Sequence, residues 1–512
     1  MTTWERKSQS EQPGEDKRSL KESPQMDILL SAVLGELTTR SIDFFIKKIF
    51  KPKALDVEDR LHMILLRAHV IIDEAMGRQI TNQSVLQQLD MLRDAMYRGC
   101  YTLDTFRYQV HSEEEAKGQV LSHSLSLSKV NSPQGLCSSS RNPQILKQLN
   151  NSLDDLSSMI LGVEELVVFL ASYPRLYRQP YSMHLVLGNC MFGRQMETEF
   201  VINFLLHARP HGSKELDILP IVGPGRVGKT TLVAHVCEDE RIRDHFSEIL
   251  FLRDHDFTVV DLATVREGYA MEYKNRVSNS NKDGRLLVVV ELVGNLNEDA
   301  WNRLYSAYTR DVPSNTKIIV TSRSDKIIKF GTTQALSMKY LSHEAYWYFF
   351  KTLMFGSTDP KMHPRLACQA MEMARMSKRC FIAANMFACL LRDNFDIEMW
   401  CKVLAFTRGQ NNKNILNFGG HPFDLINQKR PAYLGRMVTP FQYIVLHRGN
   451  ECSKQEEVPK IKLQDVMYGS ITAHGKFEIL GWRSRIPPYH SFVDICEIQE
   501  VKTTSAKRKR SV

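Results

Sequence analysis

Apolar residues recur every three or four positions in the first part of the chain, which is the spacing of one face of an α-helix. Two such stripes are clear. The first consists of Leu61, Ile64, Leu65, Ala68, Ile71, Ile72 and Ala75, and the second of Val85, Leu89, Leu92, Met96, Leu103 and Phe106. The segment 27–50 is a third amphipathic stretch. Helices with a single apolar stripe must bury it against one another. The pattern therefore predicts an N-terminal helical bundle over residues 26–110.

The pattern changes near residue 216, where short apolar runs begin to alternate with helical stretches. The runs are ILPIV, EILFL, LLVVVEL and KIIVTSR. Fully apolar strands separated by helices indicate a parallel sheet that is covered on both faces. We therefore predict an α/β fold over 191–335, and a helical subdomain over 336–405.

The remaining segments are less regular. Residues 1–25 are polar and predicted to be a disordered extension, and 111–150 are rich in Ser with Gly and Pro, which is typical of a linker. Helical spacing returns in a predicted connector over 151–190. In the C-terminal region 406–512, whose fold the pattern leaves open, KFEILGW and SFVDICEIQEV are predicted strands.

Composition narrows the class of protein. Of 512 residues, 43% are hydrophobic and 24% charged, which is ordinary for a soluble globular protein. The net charge of +9 is small for this length, so nucleic acid is not a predicted partner. The ten cysteines form no CxxC pair, which argues against structural zinc and a disulfide framework.

The chain carries neither a secretory signal nor an apolar run approaching the ~18 residues of a spanning helix. A basic run at 507–510 is more typical of a solvated tail than of a nuclear-import signal. We expect a cytoplasmic protein without a membrane span, with the nucleus as the alternative location.

One motif carries specific chemistry. The stretch IVGPGRVGKTT matches G-x-x-x-x-G-K-[ST], between an apolar strand and a helix, as a phosphate-binding loop requires. Backbone N–H groups would surround the phosphates, Lys229 would neutralise them and the Thr230 hydroxyl would bind Mg²⁺. The predicted nucleotide-binding residues of the loop are Gly223, Gly225, Val227, Gly228, Lys229, Thr230 and Thr231.

Two further residues at strand ends complete the predicted site. Glu291 ends the run LLVVVE and is the expected second Mg²⁺ ligand, with Thr230 the first. Arg323 ends KIIVTSR, where it could contact the γ-phosphate. The residue after Glu291 is Leu292 rather than a second carboxylate that could polarise water. This favours binding over turnover, with at most a slow ATPase and Glu291 as the one candidate catalytic residue.

In their order along the chain, these features resemble the NB-ARC module of plant immune receptors with leucine-rich repeats, most like the divergent forms of grasses. The matching segments are MFGRQMETEFVINFLL, GPGRVGKTTL, HFSEILFLRDHDF, LLVVVEL, KIIVTSR and YLSHEAYWYFFKTLMFG. The bundle is similar to the family's coiled-coil domain, where LRDAMYRGCYTLDTF keeps Asp94 and Asp104 of an acidic motif. The resemblance covers residues 26–405.

The resemblance implies a P-loop sheet with helical subdomains and a switch between ADP and ATP. The chain also departs from the family pattern. Where the family has a pair of acids, this chain has Glu291-Leu292. The segment MSKRCFIAANMFACLL occupies the place of a Gly-Leu-Pro-Leu turn that lies near the adenine in the family. The printed sequence also lacks a Met-His-Asp triplet and leucine-rich repeats.

The leading hypothesis is thus a switch or adaptor of plant innate immunity that binds ADP or ATP with Mg²⁺. Protein partners would contact the N-terminal bundle, and the resemblance implies oligomerisation on activation. Two alternatives stay open: a signalling ATPase that uses Glu291, and a degenerate scaffold that holds no nucleotide.

Overall fold

The computed structural model describes most of the chain between residues 57 and 500. The described residues are 57–122, 143–162, 164–175, 191–207, 216–253, 285–292, 298–299, 301–302, 305, 316–392, 394–428 and most of 430–500. The predicted extension at 1–25, the amphipathic segment 27–50 and the basic run at 507–510 lie outside them.

Four helices form the described part of the N-terminal bundle: α1 (Val57–Met76), α2 (Gln83–Ser122), α3 (Pro143–Leu161) and α4 (Glu164–Ser172). The apolar stripe predicted on α1 is its buried face, apart from Ile71, which is only partly buried. Helices α1, α2 and α3 pack against one another around this stripe, as single-stripe helices must.

The predicted linker over 111–150 is wrong at both ends, because α2 continues to Ser122 and α3 begins at Pro143. The segment EEEAKGQ within 111–122 consists mostly of good helix formers, which the Ser-rich average of the longer window concealed. The predicted connector is corrected as well, since α3 buries Leu149, Leu153 and Leu156 in the bundle core. Residues 123–142 lie outside the described part of the chain.

The region predicted to have an α/β fold contains a five-stranded parallel sheet. Its elements are α5 (Gln195–Leu206), β1 (Asp217–Val222), α6 (Lys229–Cys237), α7 (Glu240–His245), β2 (Glu248–Arg253), β3 (Leu286–Glu291), β4 (Lys317–Ser322) and β5 (Leu336–Ser337). The strand order is β2-β3-β4-β1-β5. Leu219 and Ile221 face one core cluster while Ile218 and Val222 face another. The predicted α/β fold with both faces covered is therefore confirmed.

A helical subdomain follows the sheet, made of α8 (His343–Phe355), α9 (Pro364–Met376), α10 (Phe381–Leu391), α11 (Ile397–Phe418) and α12 (Pro422–Asn427). The helical prediction is confirmed, but its boundary at 405 falls inside α11, which ends only at a left-handed Gly419.

The C-terminal region forms a second, antiparallel sheet. Its elements are β6 (Ala432–Gly435), β7 (Gln442–His447), β8 (Glu451–Cys452), α13 (Leu463–Tyr468), β9 (Lys476–Arg483) and β10 (Ser491–Glu500). The order is β6-β7-β10-β8, with β9 also paired to β10. The two strands predicted from KFEILGW and SFVDICEIQEV are β9 and β10. In the described part of the chain, no helix is long and apolar enough to cross a membrane.

The bundle and the helical subdomain share one continuous hydrophobic core. Within it lies Asp104, only 4% exposed, which accepts hydrogen bonds from Trp347 Nε1 at 2.8 Å and from Lys351 Nζ at 2.5 Å. Burial alone would lower the pKa of Lys351, but the Asp104 carboxylate outweighs it and the pKa is raised. The two domains are thus joined by a buried ion pair whose partners depend on each other.

We expect Asp104→Ala to lower the free energy of unfolding by about 3–5 kcal/mol, because it leaves the Lys351 charge buried without its carboxylate. Urea unfolding of the full chain, followed by circular dichroism, measures the change. Lys402→Ala is the control: Lys402 forms an exposed pair with Glu398, and its removal should cost less than about 1 kcal/mol. Equal effects of the two variants would contradict the importance of the buried pair.

Candidate functional site

The phosphate loop joins β1 to α6, which begins at Lys229. Gly223 has a φ of 156° and a Cβ there would collide with the carbonyl oxygen of Met338, while Gly228 has a φ of 99°. Both positions therefore require glycine, as the motif predicts. The Tyr340 hydroxyl donates a hydrogen bond to the Gly225 carbonyl at 2.8 Å and supports the loop from the side of β5.

The Lys229 side chain lies along the inside of the loop. Its Nζ donates hydrogen bonds to the carbonyl oxygens of Gly223 at 2.7 Å and Pro224 at 2.9 Å. Burial and, to a smaller extent, the charge of Arg323 lower the pKa of Lys229, Glu291 opposes them, and the resulting pKa is about 8. The ammonium group is therefore less stable here than in water, and a nearby anion would stabilise it.

Arg323 approaches the loop from the end of β4. Its guanidinium carbon lies 3.0 Å from the position that a Cβ on Gly225 would occupy, so the guanidinium rests directly on the glycine backbone. Two cationic side chains, Lys229 and Arg323, thus meet at one loop. Like charges this close repel each other, and an anion between them would remove that cost.

Thr230 and Glu291 line the same cavity as Lys229. The Thr230 hydroxyl donates a hydrogen bond to the Glu291 carboxylate, which brings together the two predicted Mg²⁺ ligands from α6 and β3. The described residues contain no cluster of three or more His, Cys, Asp or Glu side chains suited to a metal. One hydroxyl and one carboxylate suit Mg²⁺, which usually keeps several waters and takes further oxygens from phosphate.

These residues line a cavity of about 260 Å³. Of the predicted site residues, the ones that line it are Gly225, Val227, Gly228, Lys229, Thr230, Thr231, Glu291 and Arg323. Gly223 contributes its carbonyl to Lys229 instead. The structure therefore brings the predicted residues together at the carboxyl edge of the sheet, where ligands of open α/β folds are bound.

Two further walls of the cavity are formed by residues that the sequence patterns did not predict as part of the site. One comes from α8 and α10 and includes Phe349, Phe381 and Asn385; the other comes from β9 and β10 and includes Trp482 and Asp494. The first wall was predictable from the family resemblance, which places the segment 376–391, and with it α10, near the adenine. The second wall was not predictable, since nothing local in two short strands indicates contact with a loop about 250 residues earlier.

Comparison with known proteins identifies two types of domain in the chain. The model of the NB-ARC domain matches residues 194–359, and that of the Rx N-terminal domain matches 30–138. RPP13-like protein 1 of Arabidopsis thaliana, whose name assigns it to disease resistance, is 23% identical over 415 residues, 74% of this chain and 37% of that protein. Disease resistance protein RGA2 of Solanum bulbocastanum is 25% identical over 223 residues, 41% of this chain and 23% of that protein.

The chain thus spans well under half the length of these relatives. Among solved structures, one of C. elegans PCH-2 covers 41% of this chain and 68% of its own at 9% identity, with a TM-score of 0.29, which is too low to carry an argument. The two domain models follow each other in the order of the helical bundle and the phosphate-loop sheet. The chain belongs to the plant NB-ARC proteins of the coiled-coil type, with an Rx N-terminal domain before the nucleotide-binding domain.

Proposed function

We propose that this protein is a switch or adaptor of plant innate immunity that binds ADP or ATP with Mg²⁺ and hydrolyses ATP slowly or not at all. The observation that carries the proposal is the meeting of Lys229 and Arg323 at a glycine loop, beside the Thr230–Glu291 pair. Two cations, the buried Lys229 and the half-buried Arg323, next to a magnesium-type ligand pair suit a polyphosphate better than any neutral ligand.

Each residue has a role in the proposal. The loop from Gly223 to Thr231, with Gly225, Val227 and Gly228, surrounds the phosphates with backbone N–H groups, and Lys229 and Arg323 neutralise their charge. Thr230 and Glu291 hold the Mg²⁺, which would bridge phosphate oxygens when bound. The immune role is supported by the names of the plant relatives, which assign them to disease resistance.

Slow hydrolysis follows from the absence of a second acid beside Glu291. Leu292 is 4% exposed and packs in the core of the sheet, and its N–H donates to the Thr321 carbonyl at 2.9 Å. Glu291 accepts a hydrogen bond from Thr230 and in the proposal binds Mg²⁺, while Leu292 supplies no second carboxylate beside it to polarise water. The site therefore favours holding a nucleotide over turning it over.

Signalling, in this proposal, uses protein contacts of the N-terminal bundle and oligomerisation on activation, in the cytoplasm or the nucleus. The support is the shared core of bundle and helical subdomain, which connects the bundle to a helix that also lines the cavity.

The first test is to identify the nucleotide released from the purified, heat-denatured full chain by ion-pair chromatography. We expect close to one ADP or ATP per chain, and its loss in Lys229→Ala, because that variant removes a phosphate contact. Lys326→Ala is the matched control, since Lys326 is exposed and does not line the cavity. A folded wild-type protein without nucleotide, and unable to bind added ADP, would support the scaffold alternative instead.

The affinity for ADP should fall as the pH rises through about 8. The pKa of Lys229 without ligand is about 8, and bound phosphate would raise it, so binding above that pH requires uptake of a proton. Below pH 8 the affinity should be nearly constant, and above it should fall by up to about tenfold per pH unit. Calorimetric titration between pH 7 and 9.5 measures this, a range in which the phosphates, whose second pKa is about 6, do not change charge.

Lys229→Arg is the control for this pH dependence, because a guanidinium keeps its charge throughout the range. Its affinity for ADP should vary little with pH, whatever its absolute value. A wild-type affinity that is constant up to pH 9.5 would contradict either the lowered pKa of Lys229 or its contact with the phosphates, and the loss of nucleotide in Lys229→Ala distinguishes the two.

Steady-state ATP turnover should lie below about 1 s⁻¹, the lower end of ordinary enzyme rates. Glu291→Gln should weaken the Mg²⁺ dependence of ATP binding, because it removes a carboxylate ligand, and should leave the small turnover nearly unchanged. A faster turnover in the wild type, abolished in Glu291→Gln, would replace the switch with a signalling ATPase.

A further inference from the structure

Arg226 has an unusual backbone conformation for an arginine. It lies in the phosphate loop with a φ of 61°, in the left-handed region where a side chain is crowded and glycine is not. The motif G-x-x-x-x-G-K-[ST] leaves the residue type at this position open, so the loop would also accept glycine here. An arginine thus occupies a strained position, and strain of this kind is concentrated at functional sites.

The Arg226 side chain lines the cavity and is half-buried. Its guanidinium has neither a hydrogen bond nor an ion pair with any residue that the structure describes. A guanidinium carries five N–H donors in one plane, which match the oxygens of a phosphate. All of these donors are therefore available to a ligand in the cavity.

Arg226 lies apart from the other two cations of the cavity. Besides burial, the charges that act on the pKa of Lys229 are those of Arg323, which lowers it, and Glu291, which raises it. The charge of Arg226 acts on the Cys380 thiol instead, where it opposes the rise in pKa that burial causes. Arg226 therefore lies on the side of the cavity where α10 begins, next to a neutral thiol rather than a carboxylate.

We infer that the Arg226 guanidinium binds a phosphate that ADP and ATP share, at a point of the cavity separate from Lys229 and Arg323. The inference rests on the proposed nucleotide binding, to which it adds a third cation. Arg323 is the predicted contact of the γ-phosphate, and Lys229 lies close to it. Arg226 consequently takes a phosphate nearer the sugar, which both nucleotides contain.

This role accounts for an arginine at a strained position. Glycine would adopt the φ of 61° without strain, but it would carry no charge. A hydrogen bond from a guanidinium to a phosphate is charge-assisted and stronger than one between neutral groups. The contact offsets the strain only when a nucleotide is bound, so glycine at position 226 should impair binding without impairing the stability of the free protein.

The test measures the binding of ADP and of ATP, each with Mg²⁺, to the full chain by calorimetric titration at pH 7. We expect Arg226→Gly to bind both nucleotides about tenfold more weakly than the wild type, as the loss of one charge-assisted hydrogen bond allows. Without nucleotide, its thermal unfolding midpoint should equal or exceed that of the wild type, because glycine relieves the strain. A merely structural role would not combine lower affinity with undiminished stability.

Arg226→Lys and Arg226→Gln separate the charge from the strain. Both variants keep a Cβ at the left-handed position, but only the lysine keeps the positive charge. Arg226→Lys should recover part of the affinity for both nucleotides, whereas Arg226→Gln should bind them as weakly as Arg226→Gly does. Equal affinities of the lysine and glutamine variants would contradict a role for the charge.

Lys378→Gly is the matched control. Lys378 is also a cation with a left-handed φ, of 51°, but it is exposed, lies 3.7 Å from Asp424 and does not line the cavity. Its replacement relieves the same kind of strain and removes one positive charge, and it should leave both affinities within about twofold of the wild type. A loss as large as that of Arg226→Gly would trace the effect to overall charge and overturn the inference.

The remaining outcomes separate the inference from the proposed function. If the wild type binds ADP in a Lys229-dependent manner and Arg226→Gly binds both nucleotides equally tightly, Arg226 does not contact phosphate, and nucleotide binding stands. A loss confined to ATP would place the contact at the γ-phosphate and also overturn the inference. If the wild type binds neither nucleotide, the proposed function is wrong and the inference falls with it.

Discussion

The site depends on the parallel register of three strands. Val222 of β1 is paired with Ser322 of β4, and Thr321 of β4 with Glu291 of β3, so the three strands end at the same edge of the sheet. The phosphate loop, Glu291 and Arg323 follow those ends directly. The strands are buried on both faces, so the packing of the sheet holds their ends, and the functional side chains at those ends, in place.

Helix α8 joins this edge to the N-terminal bundle. Phe349 and Leu353 line the cavity, while Trp347 and Lys351 on the same helix are bonded to Asp104 of α2. A second contact runs through Phe192, which lines the cavity and lies 5.6 Å from the Tyr97 ring of α2. A bound ligand could influence the bundle through α8 only by binding one position of this helix better than another, and the contacts to Asp104 would have to be kept or broken in that change.

The sequence predicts local features of this protein well and distant ones poorly. The phosphate loop, its flanking strand and helix, and the strand ends at Glu291 and Arg323 follow from short patterns, because buried parallel strands and glycine loops leave local traces. The limits of α2 and α3 were missed, since helix formers within 111–122 were averaged with the Ser-rich stretch after them. The wall formed by β9 and β10 could not be predicted, because no local pattern indicates contact between segments about 250 residues apart.

Leu292 marks another limit of sequence reasoning. The sequence shows only that an apolar residue occupies the position after Glu291, whereas the structure shows that its side chain packs in the core cluster that includes Val290 and Ile318 and also lines the cavity. In the proposed function, the limit on hydrolysis lies at this end of β3, whereas the contacts to phosphate lie in the loop. The two properties can therefore change independently.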